Sequence, residues 1–89
     1  MVQNQVTIVN KRGLHARAAA KFVILAARFS SNIYLCREHQ RLNGKSIMGI
    51  MSLAASKGTV LEIQAEGADE MEALQALVEL ISSGLDEKD

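Results

Sequence analysis

Apolar and polar side chains alternate over Gln3 to Val9, with Val2, Val6 and Ile8 on one face and Gln3, Gln5 and Thr7 on the other. That period of two predicts a half-buried strand. From Ala16 to Arg28 the period lengthens, and Ala19, Phe22, Val23 and Ala26 form one stripe in an alanine-rich run without proline. This predicts a helix. Ile33, Tyr34 and Leu35 mark a second strand and Arg41 to Asn43 a short third one, joined by the polar turn Glu38-His39-Gln40. Thr59 to Ala65 predicts a fourth strand, with Leu61, Ile63 and Ala65 toward the core and Gly58 and Gly67 as bracketing turns. The last helix has the fullest set of signals. Asp69 and Glu72 fit a capping box, Met71, Leu74, Val78 and Ile81 recur at helical spacing, and Gly84 stands where a C-terminal cap belongs. Asp86 to Asp89 reads as a charged tail that frays. The whole, residues 1–89, reads as a single α+β domain without repeats or linkers.

Between the third and fourth strands, Ser46 to Leu53 predicts a short helix capped by Ser46. Ile47, Met48, Ile50, Met51 and Leu53 run nearly all round its wheel, so one face enters the core and another leaves an apolar patch in water. Methionine suits a surface that meets partners of different shape. The competing reading is that this helix is simply buried.

Candidate chemistry gathers where the first strand gives way to the first helix, at Gly13-Leu14-His15-Ala16-Arg17. Gly13 is free to turn at positive φ. His15 then begins the helix, where the first backbone N–H groups have no intrahelical partner and the dipole is positive, a setting that binds anions. A neutral imidazole is a nucleophile that forms covalent intermediates, phosphohistidine among them. The amides of Ala16, Arg17 and Ala18 could cradle a phosphoryl group, and the Arg17 guanidinium could bond it in a planar fork. The same donors would stabilise charge during transfer. The plainer alternative is that His15 caps the helix and Arg17 is a solvated charge.

Composition narrows the classes. Of 89 residues, 48% are apolar, and 10 basic side chains balance 10 acidic ones, which speaks against a disordered tail or a nucleic-acid binder. Phe22, Phe29 and Tyr34 are too few for base stacking. No apolar run reaches membrane-spanning length and the polar start lacks the parts of a signal peptide, so no membrane contact is expected. Cys36 has no partner for an internal disulfide, which fits a reducing cytoplasm, and reads as a small sheet residue rather than a reactive thiol. With one cysteine and with His39 in a polar turn, no metal site and no cofactor are expected.

Gly13-Leu14-His15-Ala16-Arg17, Asn43-Gly44-Lys45-Ser46 and Lys57-Gly58-Thr59 occur in the order and spacing of the histidine-containing phosphocarrier family, HPr, and the chain resembles that family over nearly its whole length. The resemblance implies an open-faced β-sandwich, a four-stranded antiparallel sheet covered on one face by three helices in the order βαββαβα. It implies a monomeric phosphoryl carrier of the phosphoenolpyruvate-dependent phosphotransferase system, not itself an enzyme. Such a carrier receives the group from enzyme I on a histidine matching His15 and passes it to an enzyme IIA protein. Arg17 matches the phosphate-stabilising arginine. Ser46 matches the serine modified in some bacteria by an HPr kinase/phosphorylase, although from the residues alone capping is the favoured reading of Ser46, since that is what serine commonly does at such a position. Ala20, Ile47, Met48 and Met51 are the expected partner-docking positions.

The departures from the family pattern are specific. Ala18 stands where proline usually follows the arginine, which loosens the first turn and restores an N–H. Ile24, Ala27 and Gly49 occupy positions where sugar-branch carriers often place lysines, so steering toward acidic partners is expected to be weaker. Together with the Ser46-Ile47-Met48-Gly49 run and the acidic tail, this resembles the nitrogen-related branch, often called NPr. Three alternatives remain: a sugar-transport HPr, a module that binds a free anion at His15 and Arg17 without covalent chemistry, and a purely docking protein.

Overall fold

A computed structural model describes residues 1–87. Its elements are β1 (Val2–Thr7), α1 (Ala16–Ala26), β2 (Asn32–Arg37), β3 (Gln40–Asn43), α2 (Ile47–Met51), β4 (Val60–Glu66) and α3 (Glu70–Ser82). The strands form one four-stranded sheet in the order β1-β4-β2-β3. Every neighbouring pair is antiparallel. In the register, Val6 stands opposite Leu61, and Ile33 and Leu35 stand opposite Ala65 and Ile63. This sets the apolar half of each alternating strand on one face. All six of those residues are buried. The opposite face is polar, and there the Arg41 guanidinium lies 3.6 Å over the Tyr34 ring and its Nε donates to Gln64 Oε1 at 3.0 Å. A face of that character needs no second layer.

The helices cover the apolar face. Phe22 of α1 is fully buried among Ala18, Ala19 and Ala26, and α3 contributes Ala73, Leu77 and Ile81. Burying a large apolar side chain contributes about 1.5–3 kcal/mol, so this shared core is what holds the two helices on the sheet. Among the described residues, no helix is long and apolar enough to cross a membrane.

Several boundaries differ from the sequence reading. Because Arg37 pairs with Gln40, the hairpin loop is Glu38-His39 alone, with Glu38 at φ +54°, and Gln40 belongs to β3. The capping box at α3 does not form. Asp69 is the N-cap by position but makes no side-chain capping bond. Its carboxylate instead accepts from the Ser30 and Ser31 amides, both at 2.9 Å, and from the Ser31 hydroxyl, tying α3 to the α1–β2 connection. Glu70 rather than Glu72 serves the incoming backbone, accepting from the Gly67 amide at 3.2 Å. The buried row of α3 is also shifted. Ala73, Leu77 and Ile81 face inward, Leu74 and Val78 flank them, and Met71 is 65% exposed. The reason is that α3 packs against both the sheet and α1, so its inner row is set by two neighbours at once.

The largest departure lies after α3. Gly84 sits at φ +91°, its amide bonding Ile81 O at 3.1 Å while the Leu85 amide bonds Leu80 O at 2.8 Å. That pair of bonds is a Schellman cap. It turns the chain inward and buries Leu85 completely. Leu85 and Asp86 then stay left-handed at φ +58° and +57°, and the Glu87 amide returns to Gly84 O at 3.1 Å. Asp86 and Glu87 therefore form an ordered turn rather than a frayed tail. Lys88 and Asp89, the rest of that predicted tail, lie outside the described residues.

Candidate functional site

The loop between β1 and α1 is fixed from both ends. Gly13 adopts φ +67°, and a Cβ there would fall 2.4 Å from the Ala55 carbonyl oxygen. No other residue fits so close to a neighbouring backbone. The next amide, that of Leu14, donates to the same Ala55 oxygen at 2.9 Å, and the Leu14 side chain is buried. His15 follows as the N-cap of α1, in extended conformation, with its carbonyl accepting the Ala19 amide at 2.8 Å. Its ring makes no capping bond, so the reading of His15 as a plain helix cap does not hold.

The ring is committed elsewhere. His15 Nε2 lies 2.6 Å from Glu87 Oε2, brought there by the inward turn at Gly84. Asn10 Nδ2 donates to the other carboxylate oxygen, Oε1, at 2.7 Å and to the Gly13 carbonyl at 2.8 Å. Asn10 is itself only 1% exposed, and its Oδ1 has no hydrogen-bond partner among the described residues. Lys21, from the second turn of α1, donates to the carbonyls of Leu85 and Asp86 at 3.2 and 3.3 Å. Burial pushes the Glu87 carboxyl up. The hydrogen bonds from Asn10 and His15 and the positive charges of His15 and Lys21 outweigh it, so the group titrates below the usual carboxylate range. Side-chain exposure is 20% for His15 and 10% for Glu87, so the imidazole is largely covered rather than open at the surface.

The other expected site residues are spread around this cluster. Ala16 and Arg17 are exposed on the first turn, and Arg17 holds no ion pair or side-chain hydrogen bond among the described residues. Ala18, by contrast, is wholly buried on the inner side of the same turn, so its amide does not lie on the open rim with the other two. Ser46 caps α2, its Oγ accepting the Gly49 amide at 3.1 Å. Ile50 and Leu53 enter the core while Ile47, Met48 and Met51 are 40%, 82% and 42% exposed, and Ala20 is half-buried on α1, against which α2 packs. Cys36 is half-buried in β2, and burial, then Glu62, pushes its thiol up, against the opposing pull of Arg41. This leaves it protonated and a poor nucleophile. His39 is exposed in the hairpin loop. The sequence reading missed Asn10, Lys21 and Glu87. The one available signal was Gly84 followed by Leu85, the pattern of a helix end that turns back on its own core.

An antiparallel sheet with one open face, three helices on the other and a histidine at the first helix start is the architecture of the small open-faced phosphocarriers. Residues 2–83 match the family described as PTS HPr component, phosphorylation site, and the chain belongs to this HPr family of phosphocarrier proteins, which are not enzymes in their own right. It is 51% identical over 82 residues to the phosphocarrier protein HPr of Neisseria meningitidis, covering 92% of each chain. It is 54% identical over 84 residues to the phosphocarrier protein HPr of Pseudomonas aeruginosa, covering 93% of each. Among solved structures, HPr-C-His from Thermoanaerobacter tengcongensis superposes with a TM-score of 0.95 at 50% identity, over the full length of both chains.

Proposed function

We propose that the protein carries a phosphoryl group on His15, accepts it from enzyme I and delivers it to an enzyme IIA protein of the nitrogen-related branch. The observation that carries this reading is the placement of the imidazole. It stands at the start of an 11-residue helix, makes no capping bond, and has on the same turn the exposed Arg17 guanidinium, which holds no ion pair or side-chain hydrogen bond among the described residues. The guanidinium fork matches a phosphoryl group, and amides at a helix start match its charge. Support for the branch comes from the surface around α1. Ile24 is 67% exposed, Ala27 is exposed and Gly49 has no side chain, so these three positions lack the lysines that sugar-branch carriers often place there.

Incubation with phosphoenolpyruvate and either a general or a nitrogen-branch enzyme I tests both levels. The expected product keeps its phosphate through denaturation, loses it in acid as a phosphoramidate does, and forms faster with the nitrogen-branch enzyme. Phosphate that dissociates on denaturation would identify a non-covalent anion site instead. Faster labelling by the general enzyme I would move the chain to the sugar branch. Ser46 belongs to this reading as a second modification point, since a phosphate at the α2 cap would set negative charge beside Met48.

A further inference from the structure

The carboxylate against His15 is the least expected contact in the molecule. An ionised carboxylate only accepts hydrogen bonds, and Glu87 is held ionised by Asn10, His15 and Lys21. The ring nitrogen that faces it at 2.6 Å must therefore be the one that bears the proton, which is Nε2. In a neutral imidazole the other nitrogen then has a free lone pair. We propose that Glu87 is a positioning residue for phosphoryl acceptance, its carboxylate fixing the direction of the His15 ring and holding the ring proton on Nε2. This rests on the reading of His15 as the phosphoryl acceptor.

The cluster is built to hold that orientation. Oε1 is anchored by Asn10, which is itself fixed to the Gly13 carbonyl at the turn that places His15. The backbone that delivers Glu87 is anchored by Lys21 through the Leu85 and Asp86 carbonyls, and by the fully buried Leu85 side chain. A histidine oriented through its second nitrogen by a carboxylate is a recurrent way of fixing tautomer and ring direction.

The transfer step balances without moving the Nε2 proton. The Nδ1 lone pair attacks phosphorus, the Nδ1–P bond forms, and the donor's bond to phosphorus breaks with its electron pair remaining on the donor atom. The product ring bears phosphorus on Nδ1 and hydrogen on Nε2, so it is formally cationic. Glu87 faces that charge directly, and delivery to the next protein reverses the change. A carboxylate at Nε2 also leaves no room for phosphorus on that nitrogen.

The test uses the full chain labelled with 15N in its histidine rings, as wild type, Glu87→Gln and Glu87→Ala. Two-bond 1H–15N spectra, at a pH where the ring is neutral, are expected to show wild-type His15 as the Nε2–H tautomer alone. Both variants are expected to show a resolved Nδ1–H population. Labelling by phosphoenolpyruvate and enzyme I is expected to slow about ten- to a hundredfold in Glu87→Ala, as for loss of one charge-assisted contact in the transition state. A wild-type proton on Nδ1 overturns the proposal. So does an unchanged tautomer in both variants, or labelling in Glu87→Ala as fast as or faster than wild type, which would make Glu87 a cover over the ring. The spectra do not depend on phosphoryl transfer, so failure of wild-type labelling alone would count against the carrier reading and not against the role of Glu87 in setting the tautomer.

Discussion

His15 and Arg17 are two positions apart on one helical turn and meet different surroundings. The histidine is largely covered and bonded to Glu87, while the arginine is exposed and holds no ion pair among the described residues. Their replacements are therefore expected to differ in kind. His15→Ala should fold with an unchanged circular dichroism spectrum and accept no phosphoryl group from enzyme I, since no other described side chain has that setting. Full labelling of this variant would transfer the assignment to His39. Arg17→Ala should still be labelled, because the amides of Ala16 and Arg17 remain, but transfer should slow roughly ten- to a thousandfold, as for removal of one transition-state donor. Arg17→Lys is expected to recover only part of the rate, since a point charge does not reproduce the planar fork. Initial rates of transfer measured on the three proteins decide this, and equal rates for wild type and Arg17→Ala would remove the arginine from the chemistry.

The elements show which kinds of order a sequence displays. β1, β2 and β4 were legible because the sheet is covered on one face only, so burial alternates residue by residue and the polar partners stay visible. Their ends were less so: Ile8 lies beyond β1 yet stays buried, bonded to Thr59 and Gly58 through its backbone. Gly13 and the α2 cap at Ser46 were legible because each is a local backbone device. Asp69 was misread because its carboxylate has two possible sets of donors, and the chosen set, Ser30 and Ser31, is 38 or 39 positions away in sequence. Glu87 was hidden for the same reason, 72 positions from His15. Both carboxylates lead to expectations at this scale. Bonding to the Ser31 hydroxyl, and then to the Ser30 amide, lowers the Asp69 carboxyl from its ordinary 3.8 to about 2. A group depressed in the folded state stabilises above its unfolded value, and the contribution disappears as pH falls through the folded value. Wild type should therefore lose thermal stability relative to Asp69→Asn between about pH 4 and pH 2, which melting curves across that window would read. Gly84→Ala should cost about 1–2 kcal/mol, because the φ of +91° is unfavourable for a residue with a Cβ even where space is open. It should also loosen the turn that delivers Glu87, so chemical denaturation and His15 ring shifts should change together.

At the scale of the whole molecule, one surface has to serve successive partners. Net charge is zero, so the long-range field adds little to encounter, and recognition must rest on short-range contact. Transfer between proteins brings two reacting groups nearly into contact, which places that surface beside His15. The material comes from the helix that packs on the one His15 begins: α2 lies against α1, and Ile47, Met48 and Met51 are left in water while Ile50 and Leu53 of the same segment hold it to the core. Met48 is 82% exposed, so a charge there is not expected to disturb the fold. Met48→Glu should keep the wild-type melting temperature, within the half-kilocalorie or so typical of surface changes, and yet weaken binding to both donor and acceptor. Labelling should survive at high enzyme I concentration, because the chemistry at His15 is untouched. Phosphate on Ser46 should act in the same direction, adding negative charge at the cap of the same short helix. Methionine tolerates partners of different shape through its flexible chain, and a small patch permits the release a carrier needs between one partner and the next. Melting temperature and partner affinity measured on the same Met48→Glu protein separate a docking surface from a merely exposed side chain. Unchanged affinity for both partners, in a protein of unchanged stability, would place the contact elsewhere on the molecule.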